Sequence, residues 1–176
     1  MIDNRVYIRI INKDDLVRIT RWLNDPEISD IMGYLPTFSI ESQNSYYEKL
    51  INDKTRFIFA ICKKENDEHI GNVGLGNIDY IHRHAMFSIF IFEHNSRSLG
   101  FGTEATRLCL DFAFKRLNLN KVYLRTSERF VSAINMYEKI GFVKEGVMRQ
   151  HYYTNGKYED KIIYSILKNE YLKEED

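Results

Sequence analysis

The feature that most constrains this chain is a pair of glycines placed between a strand pattern and a helix pattern. Residues 86–92 form an apolar run typical of a strand, and apolar residues after Gly102 recur at helical spacing. Gly100 and Gly102 allow a tight turn and let a ligand approach the backbone with no Cβ in the way. A helix that begins here points unpaired N–H groups and its positive dipole end at the turn. The stretch 97–102 therefore predicts an anion cradle, although a plain strand-to-helix turn could use the same glycines.

Composition limits the class of protein. The 176 residues are 44% hydrophobic and 28% charged, which is ordinary for a globular protein and long enough for a real core. We expect one domain over residues 1–176. Lysine plus arginine equals aspartate plus glutamate at 25 each, so a nucleic-acid binder with a strongly basic surface is not expected.

Several other classes are also disfavoured. The first residues lack a basic region followed by an apolar run, and no apolar stretch approaches the ~20 residues that span a bilayer. Cys62 and Cys109 lie far apart in apolar runs, so we interpret them as small core residues in a reducing compartment. We expect a cytoplasmic protein with no membrane contact and no metal site.

The order of the elements predicts the fold class. Strand patterns cover residues 6–11, 55–62, 70–80, 85–93, 122–126, a run from 142 onward and 161–167. Helical patterns cover about 15–23, 39–51, 102–117 and 132–140, while Asp25-Pro26 is interpreted as a stop and 27–38 as irregular. A hairpin turn is expected at 154–157, where Asn-Gly occurs, and a frayed tail at 173–176. The prediction is an α/β domain with about seven strands and four helices.

Two motifs about thirty residues apart identify a family. The first is Arg-Ser-Leu-Gly-Phe-Gly at 97–102, and the second is Ala-Ile-Asn-Met-Tyr-Glu-Lys-Ile-Gly-Phe at 133–142. Together they resemble the coenzyme A signature and the later signature of the GNAT superfamily of N-acetyltransferases. Residues 81–172 are most similar to the branch that contains ribosomal-protein N-terminal acetyltransferases and spermidine acetyltransferases.

The resemblance implies a fold and a cofactor. The fold is a mixed, mostly antiparallel seven-stranded sheet that splays between its fourth and fifth strands. The cofactor is acetyl-coenzyme A, whose diphosphate would rest on the peptide N–H groups of Phe101 to Thr103, with Arg97 beside it. Arg97 could instead be an ordinary surface arginine. The expected cofactor-binding residues are Phe90, Ile91, Phe92, Arg97, Ser98, Leu99, Gly100, Phe101, Gly102, Thr103, Ala133, Tyr137 and Lys139.

One rival pattern involves the same glycines. Gly100, Gly102 and Ala105 also fit the dinucleotide-binding Gly-x-Gly-x-x-Gly/Ala pattern, with Glu128 as the acid on the next strand. However, three strand patterns with hairpin-length connections precede the motif, which is wrong for a doubly wound fold.

The resemblance also assigns catalytic roles. Tyr137 matches the family's general acid, which protonates the departing thiolate, although it could be a core aromatic. A backbone N–H near residues 90–92 would stabilise the oxyanion. Many relatives place a glutamate where this chain has Met86, so the base is open: Glu93, His82, His84 or an ordered water. Glu93 is the preferred side chain, although a solvated loop acid is the competing interpretation. Phe130 stands where relatives often have an asparagine that bonds the pantetheine arm.

The acceptor end carries the weakest signal. In the superfamily it is lined by the first two helices, the loop between them and the last hairpin. We expect Met32, Tyr34, Tyr47, His82 and Tyr152 to contact the substrate, although all of them could be packing residues. Residues 31–38 contain no carboxylate, where a polyamine site would want several, so an uncharged or amphipathic amine is favoured.

The resemblance therefore predicts an acetyl-coenzyme A-dependent N-acetyltransferase. It would transfer acetyl to a primary amine of a small molecule, such as an amino sugar, amino acid derivative or polyamine, by direct attack in a ternary complex. Two alternatives stay open: a protein N-terminal or lysine acetyltransferase, and a non-catalytic acyl-coenzyme A sensor, suggested by Met86 and Phe130. A homodimer is an expectation from relatives alone.

Overall fold

A computed structural model describes residues 4–154 and 156–173. Within them seven strands form one sheet and six α-helices pack on its faces. The strands are β1 (Val6–Ile10), β2 (Phe57–Lys63), β3 (His69–Asp79), β4 (His84–Ile91), β5 (Lys121–Ser127), β6 (Val143–Thr154) and β7 (Lys157–Leu167). The helices are α1 (Asp15–Leu23), α2 (Pro26–Met32), α3 (Ile40–Leu50), α4 (Phe101–Asp111), α5 (Val131–Ile140) and α6 (Lys168–Lys173).

The sheet has the order β1-β2-β3-β4-β5-β7-β6. Every neighbouring pair is antiparallel except β4 and β5, which run parallel. A parallel pair needs a long crossover connection, and α4 supplies it between these two strands. The predicted mixed, mostly antiparallel seven-stranded sheet is confirmed.

Each face of the sheet buries its own apolar cluster. The larger cluster is covered by α4 with the helical turn that follows it, by α5 and by α6, and its buried residues include Phe114, Ile140 and Tyr171. The smaller one lies under α1, α2 and α3 and is centred on Trp22, which stacks on Phe92 with ring centroids 4.6 Å apart. Cys62 and Cys109 are free and fully buried, one in each cluster, as small core residues are expected to be.

The prediction of four helices was two too few. Pro26 begins α2 at its first turn rather than ending α1, because Asp25 caps the helix and accepts a hydrogen bond from the Glu27 N–H at 2.9 Å. Residues 27–38 are therefore partly helical. The short α6 after β7 is the second addition. After Asp111, the end of α4 continues as a π-helical turn over Phe112–Arg116.

Local signals elsewhere were right. Ser39 caps α3, with reciprocal bonds of 3.1 Å between its side chain and backbone and those of Ser42. β7 begins at Lys157, four residues before its predicted start. Asn155 of the expected hairpin turn and the tail beyond Lys173 lie outside the described residues.

Two glycines in β3 are required by close backbone contact. A Cβ added at Gly71 would approach the Phe90 carbonyl oxygen of β4 to 2.3 Å, and one at Gly74 would approach the Phe57 carbonyl oxygen of β2 to 2.4 Å. The backbones of β2 and β4 therefore approach β3 too closely for a side chain at these two positions. Among the residues described, no helix has both the length and the apolar character to cross a membrane.

Candidate active site

The site is organised by the point where β4 and β5 separate. The two strands pair only from His84 to Met86, opposite Lys121 to Tyr123. Beyond that point β4 continues to Ile91 and β5 to Ser127 without pairing to each other. The predicted splay between the fourth and fifth strands is confirmed, and it leaves strand edges facing a gap at the carboxyl end of both strands.

The turn that enters α4 forms an anion cradle, which we define as the peptide N–H groups of Ser98 to Gly102. No hydrogen bond of the described residues uses any of these five N–H groups. Ser98 and Gly100 adopt left-handed backbone conformations, with φ of +60° and +90°. Alternating backbone conformations of this kind turn successive N–H groups towards one point and form an anion-binding nest. The positive end of the α4 dipole adds to the same field.

The cradle begins earlier in the chain than predicted. The Thr103 N–H donates to the Gly100 carbonyl oxygen at 3.0 Å, so it is turned into the helix rather than towards a ligand. Gly102 keeps α4 close to its neighbours, because a Cβ there would lie 3.5 Å from Met136 Sδ and 4.0 Å from Ile91 Cγ1. The cradle therefore sits against both β4 and α5, and its five donors fit a diphosphate without any side chain.

The Arg97 side chain supports the cradle through contacts with β4 and α2 and does not project into it. Its Nε donates to the Ile91 carbonyl oxygen at 3.0 Å, and its Nη2 donates to that of Phe92 at 3.1 Å. Its Nη1 pairs with Glu27 of α2 at 2.6 Å. The guanidinium thus ties the end of β4 to α2, and its charge still lies next to the turn.

Arg5 is a second cation at this turn that the motif analysis missed. Its Nη2 donates to the Leu99 carbonyl oxygen at 2.8 Å and to Glu104 of α4 at 2.6 Å. Its guanidinium also lies 4.8 Å from the centroid of the Phe101 ring. Arg5 lies 94 residues from Leu99 along the chain, so no local pattern could have indicated the contact.

Tyr137 lies on α5, the helix whose Met136 is next to Gly102 of the cradle. Its side chain is only 7% exposed and packs edge-on against Phe87 and Phe142. Burial raises its pKa to about 12, and its hydroxyl makes no hydrogen bond within the described part of the chain. It is therefore a protonated donor at neutral pH. On the same helix Ala133 is half-buried near the start, and Lys139 is exposed near the end.

The oxyanion donor predicted within residues 90–92 can be assigned from the backbone of β4. The Phe92 N–H is already used by the Ile70 carbonyl oxygen of β3 at 2.9 Å. Because N–H directions alternate along a strand, the Ile91 N–H points to the opposite edge, and that of Phe90 points to β3. Within the predicted range 90–92, Ile91 is thus the residue that can donate to an oxyanion, and Phe92 is not.

Glu93 follows β4 and is turned towards α1. Its Oε1 accepts a hydrogen bond from the Trp22 indole at 3.0 Å and lies 3.6 Å from Arg21 Nη2. It does not line the cavity described below. The carboxylate therefore fastens α1 to the end of β4 in this arrangement.

A cavity of about 340 Å³ lies between the sheet and helices α1 to α3, beside the splayed end of β4. Most of its lining is apolar, and none of its lining residues is acidic. The residues that line it are Ile11, Leu16, Ile19, Leu23, Met32, Phe38, Gln43, Tyr46, Ile58, Asn72, Val73, Ser88, Ile89, Phe90 and Phe92.

Asn72 is the most firmly positioned polar group in the cavity. The buried His69 places Nε2 2.8 Å from Asn72 Oδ1 and 2.9 Å from the Gly71 carbonyl oxygen. Both neighbours are acceptors, so Nε2 carries the proton. The Asn72 oxygen is thereby occupied, which leaves its amide nitrogen as a donor towards the cavity.

The predicted acceptor residues are only partly brought together. Met32 lines the cavity, and Tyr34 lies beside it, with its ring 5.2 Å from that of Phe38 and its hydroxyl donating to Met32 Sδ at 3.2 Å. Burial raises the pKa of Tyr34 to about 12. Tyr47 packs in the core under α3, and its neighbour Tyr46 lines the cavity instead.

Tyr152 and His82 lie in different places from the cavity lining. Tyr152 of β6 reaches across to α2, where a Cβ on Gly33 would overlap its hydroxyl oxygen. His82 lies in the β3–β4 turn, near His84, at the paired end of β4. About seven residues of strand at ~3.3 Å each separate His84 from Ile91, so His82 is at the wrong end of the strand.

Comparisons with known proteins agree with this geometry. Residues 5–143 match the family model described as an acetyltransferase (GNAT) domain. The chain is 32% identical over 171 residues to the spermidine N(1)-acetyltransferase of Vibrio cholerae, covering 97% of each. It is 30% identical over 170 residues to that of Escherichia coli strain K12, covering 96% of this chain and 89% of that enzyme.

A solved structure is similar over nearly its whole length. It is the spermidine N-acetyltransferase from Vibrio cholerae in complex with CoA and spermine. The TM-score is 0.90 at 31% identity, over 97% of this chain and 99% of the solved one.

Proposed function

Since the chain belongs to the GNAT acetyltransferase family, it is an acetyl-coenzyme A-dependent N-acetyltransferase, and we propose that its acceptor is a small molecule carrying one primary amine on an apolar body. The observation that carries the proposal about the acceptor is the cavity beside the splay. It has room for a small molecule, its lining is largely apolar, and no carboxylate lines it. A polycation would place several charges against apolar side chains, which is unfavourable without acidic partners.

Binding of the cofactor is assigned to the cradle and its supports. When bound, acetyl-coenzyme A supplies an activated acetyl group as a thioester. The N–H groups of Ser98 to Gly102 hold its diphosphate, while Arg97 and Arg5 keep the turn in place. Ala133 and Lys139 lie on α5, which forms the adjoining wall. None of these groups needs to move a proton.

Transfer of the acetyl group needs a donor at each of two atoms. The Ile91 N–H points into the gap and can stabilise the carbonyl oxygen as negative charge develops on it; one such donor contributes about 3 kcal/mol in other acyl transfers. The Tyr137 hydroxyl can donate to the departing sulfur. Because its pKa is above that of an ordinary thiol, near ~8.5, it shares its proton with the thiolate rather than losing it outright.

The amine loses its proton to water. Alkyl ammonium groups have a pKa near ~10, and the described residues that line the cavity include no carboxylate or imidazole that could act as base. Glu93 is held by Trp22 at the rim, so we assign it to positioning of α1. Ser88 and Asn72 are the polar groups available to orient the amine.

The experiment is a survey of acceptors by release of free coenzyme A thiol. We expect aromatic and aliphatic monoamines to be acetylated with a larger kcat/KM than spermidine or spermine. The control is the same mixture of acetyl-coenzyme A and each amine without enzyme, which corrects for spontaneous transfer. If none of the amines causes release of thiol, the proposal about the acceptor is overturned.

A polyamine is the second candidate, because relatives about 30% identical over nearly the whole chain are named as spermidine acetyltransferases. Preference for spermidine over monoamines by tenfold or more would establish it. A protein N-terminal or lysine acetyltransferase is distinguished by activity on short peptides but not on small amines. The sensor alternative predicts tight binding of the cofactor with no transfer, and family membership favours the enzyme.

A further inference from the structure

The face of the sheet that carries the cavity has a second half with a different character. Register pairs Met86 with Tyr123, and Ser127 with Lys161, so these residues share one face of the sheet. Alternation places Arg125 of β5 on the same face. Its Nη2 lies 3.6 Å from Met86 Sδ, which confirms that it reaches across towards β4. The apolar wall from β2 to β4 thus faces a wall built from β5, β6 and β7.

The β5–β7 wall carries an excess of positive charge. We define the cationic cluster as Arg125, Arg129 and Lys161. Within the described residues, Glu159 is the carboxylate within 4.0 Å of the cluster: it lies 3.5 Å from Arg129 Nε and also accepts a hydrogen bond from Ser127 at 2.9 Å. Among the residues described, neither Arg125 nor Lys161 has a carboxylate within 4.0 Å.

Lys161 is the cation of the cluster whose charge is least compensated by its surroundings. It is half-buried, and its ammonium lies 4.1 Å from the centroid of the Tyr152 ring. Burial lowers its pKa, and so do the positive charges of Arg129 and Arg125, while Glu159 acts in the opposite direction. A cation in this position is stabilised when an anion is brought to it.

The cationic cluster adjoins the cavity through α2. Arg129 Nη2 donates to the carbonyl oxygens of Asp30 and Ile31 at 3.4 and 3.2 Å. The next residue of α2, Met32, lines the cavity. Tyr152 packs against Gly33, and the Lys161 ammonium lies over the Tyr152 ring. The cationic cluster and the cavity therefore both lie against the end of α2, on either side of Met32.

We propose that the acceptor carries an anionic oxygen group, a carboxylate or a phosphate, which binds to the cationic cluster while its primary amine lies at Ser88 and Asn72. This inference rests on the proposed function and narrows it to an amino acid-like or amino phosphate-like substrate. It predicts that a polyamine is a weaker acceptor than an anionic amine, because a second ammonium would be repelled by Lys161, Arg125 and Arg129.

The test uses the full-length enzyme and matched sets of acceptors. Each set contains a primary amine with a terminal carboxylate, its carboxamide, the corresponding phosphate ester and the diamine, all on one carbon skeleton. We expect kcat/KM for the carboxylate or the phosphate to exceed that for the carboxamide by tenfold or more, with the diamine lowest. The two anionic arms distinguish the kind of anion.

Variants identify the residue that causes the preference for an anionic acceptor over the carboxamide and the diamine. Lys161→Met keeps most of the apolar stem and should reduce the anion-to-amide ratio to about one, and Lys161→Glu should invert it in favour of the diamine. Lys144→Met, at an exposed lysine of β6, is the matched control and should leave the ratio unchanged. Arg125→Met serves as a second reporter if a Lys161 variant does not fold.

The outcomes separate this inference from the proposed function. Acetylation of all members of a set with equal kcat/KM, or a preference for the diamine, would overturn the anionic group while leaving a small-amine acetyltransferase intact. Absence of transfer to every amine would overturn the proposed function itself. A wild-type preference for the anion that survives both Lys161→Met and Arg125→Met would remove the cationic cluster as its cause.

Discussion

In the proposed function, the cradle and the cavity recognise their ligands with different parts of the chain. The cradle uses five peptide N–H groups from one short segment, Ser98 to Gly102. The cavity uses side chains that come from six helices and strands and the segments between them, such as Leu16 of α1, Met32 of α2 and Ser88 of β4. Side-chain identity hardly matters in the first region and decides everything in the second. A family can therefore keep its cofactor and change its acceptor.

The first test removes the side chain that is proposed to donate to the departing sulfur. Tyr137→Phe should lower kcat by about 100-fold or more, in the range for loss of a general acid. The KM for acetyl-coenzyme A should change by less than about threefold, since the cradle is intact. Tyr153→Phe, at an exposed tyrosine of β6, is the control. A kcat within twofold of the wild type would show that the assigned donor is wrong.

The second test uses pH to separate the amine from Tyr137. An acceptor that must lose its proton makes kcat/KM rise about tenfold per pH unit below its pKa of ~10. Tyr137 holds its proton up to about pH 12, because burial favours the neutral form. Its donor role is therefore lost only as pH rises through that value, and no falling limb is expected up to pH ~10.5. A falling limb centred near pH 10, absent in Tyr137→Phe, would contradict the raised pKa of Tyr137, although it would support Tyr137 as the donor.

The third test disturbs the cradle alone. Gly100 has φ of +90°, and a Cβ there would also approach Arg5 Nη2 to 2.9 Å. A left-handed conformation costs a residue with a Cβ about 1–2 kcal/mol, so Gly100→Ala should raise the KM for acetyl-coenzyme A by about tenfold. The KM for the acceptor should not change. Gly146→Ala is the control, because a Cβ there would meet nothing within 4 Å.

The fourth test disturbs the cavity alone. Asn72→Leu removes the positioned amide donor, and the acceptor KM should rise by about fivefold, the value of one ordinary hydrogen bond. Binding of acetyl-coenzyme A, measured by calorimetry, should stay within twofold. Equal losses for the two ligands would show that the cradle and the cavity are not independent.

The smallest effect is expected at Glu93. Glu93→Gln keeps an oxygen that can accept from the Trp22 indole, so kcat/KM should fall by less than about threefold at every pH. A loss of 100-fold that disappears at high pH would instead establish Glu93 as the base. In that case the carboxylate must turn away from Trp22 when the acceptor binds.

The sequence was most informative where a local pattern had one physical meaning. The glycine pair indicated the turn, because only glycine adopts a φ of +90° without strain, and the Ser39 cap was correct because both of its partners lie within one helical turn. Pro26 gave a wrong prediction of irregular structure after α1, because a proline that follows one helix can also begin the next.

By itself, the sequence determined the order of the seven strands, four of the helices and the glycine turn, since these depend on hydrophobic spacing and on backbone conformations that few residues adopt. The splay was implied by the resemblance of the motifs to a family. Only the tertiary structure decided that Arg5 supports the cradle, that Tyr46 rather than Tyr47 lines the cavity, and that Lys161 meets Arg125 and Arg129 on one wall. Such contacts join residues far apart in the chain. Their geometry depends on strand register and on the orientation of each side chain, and neither can be predicted from the spacing of residues along the chain.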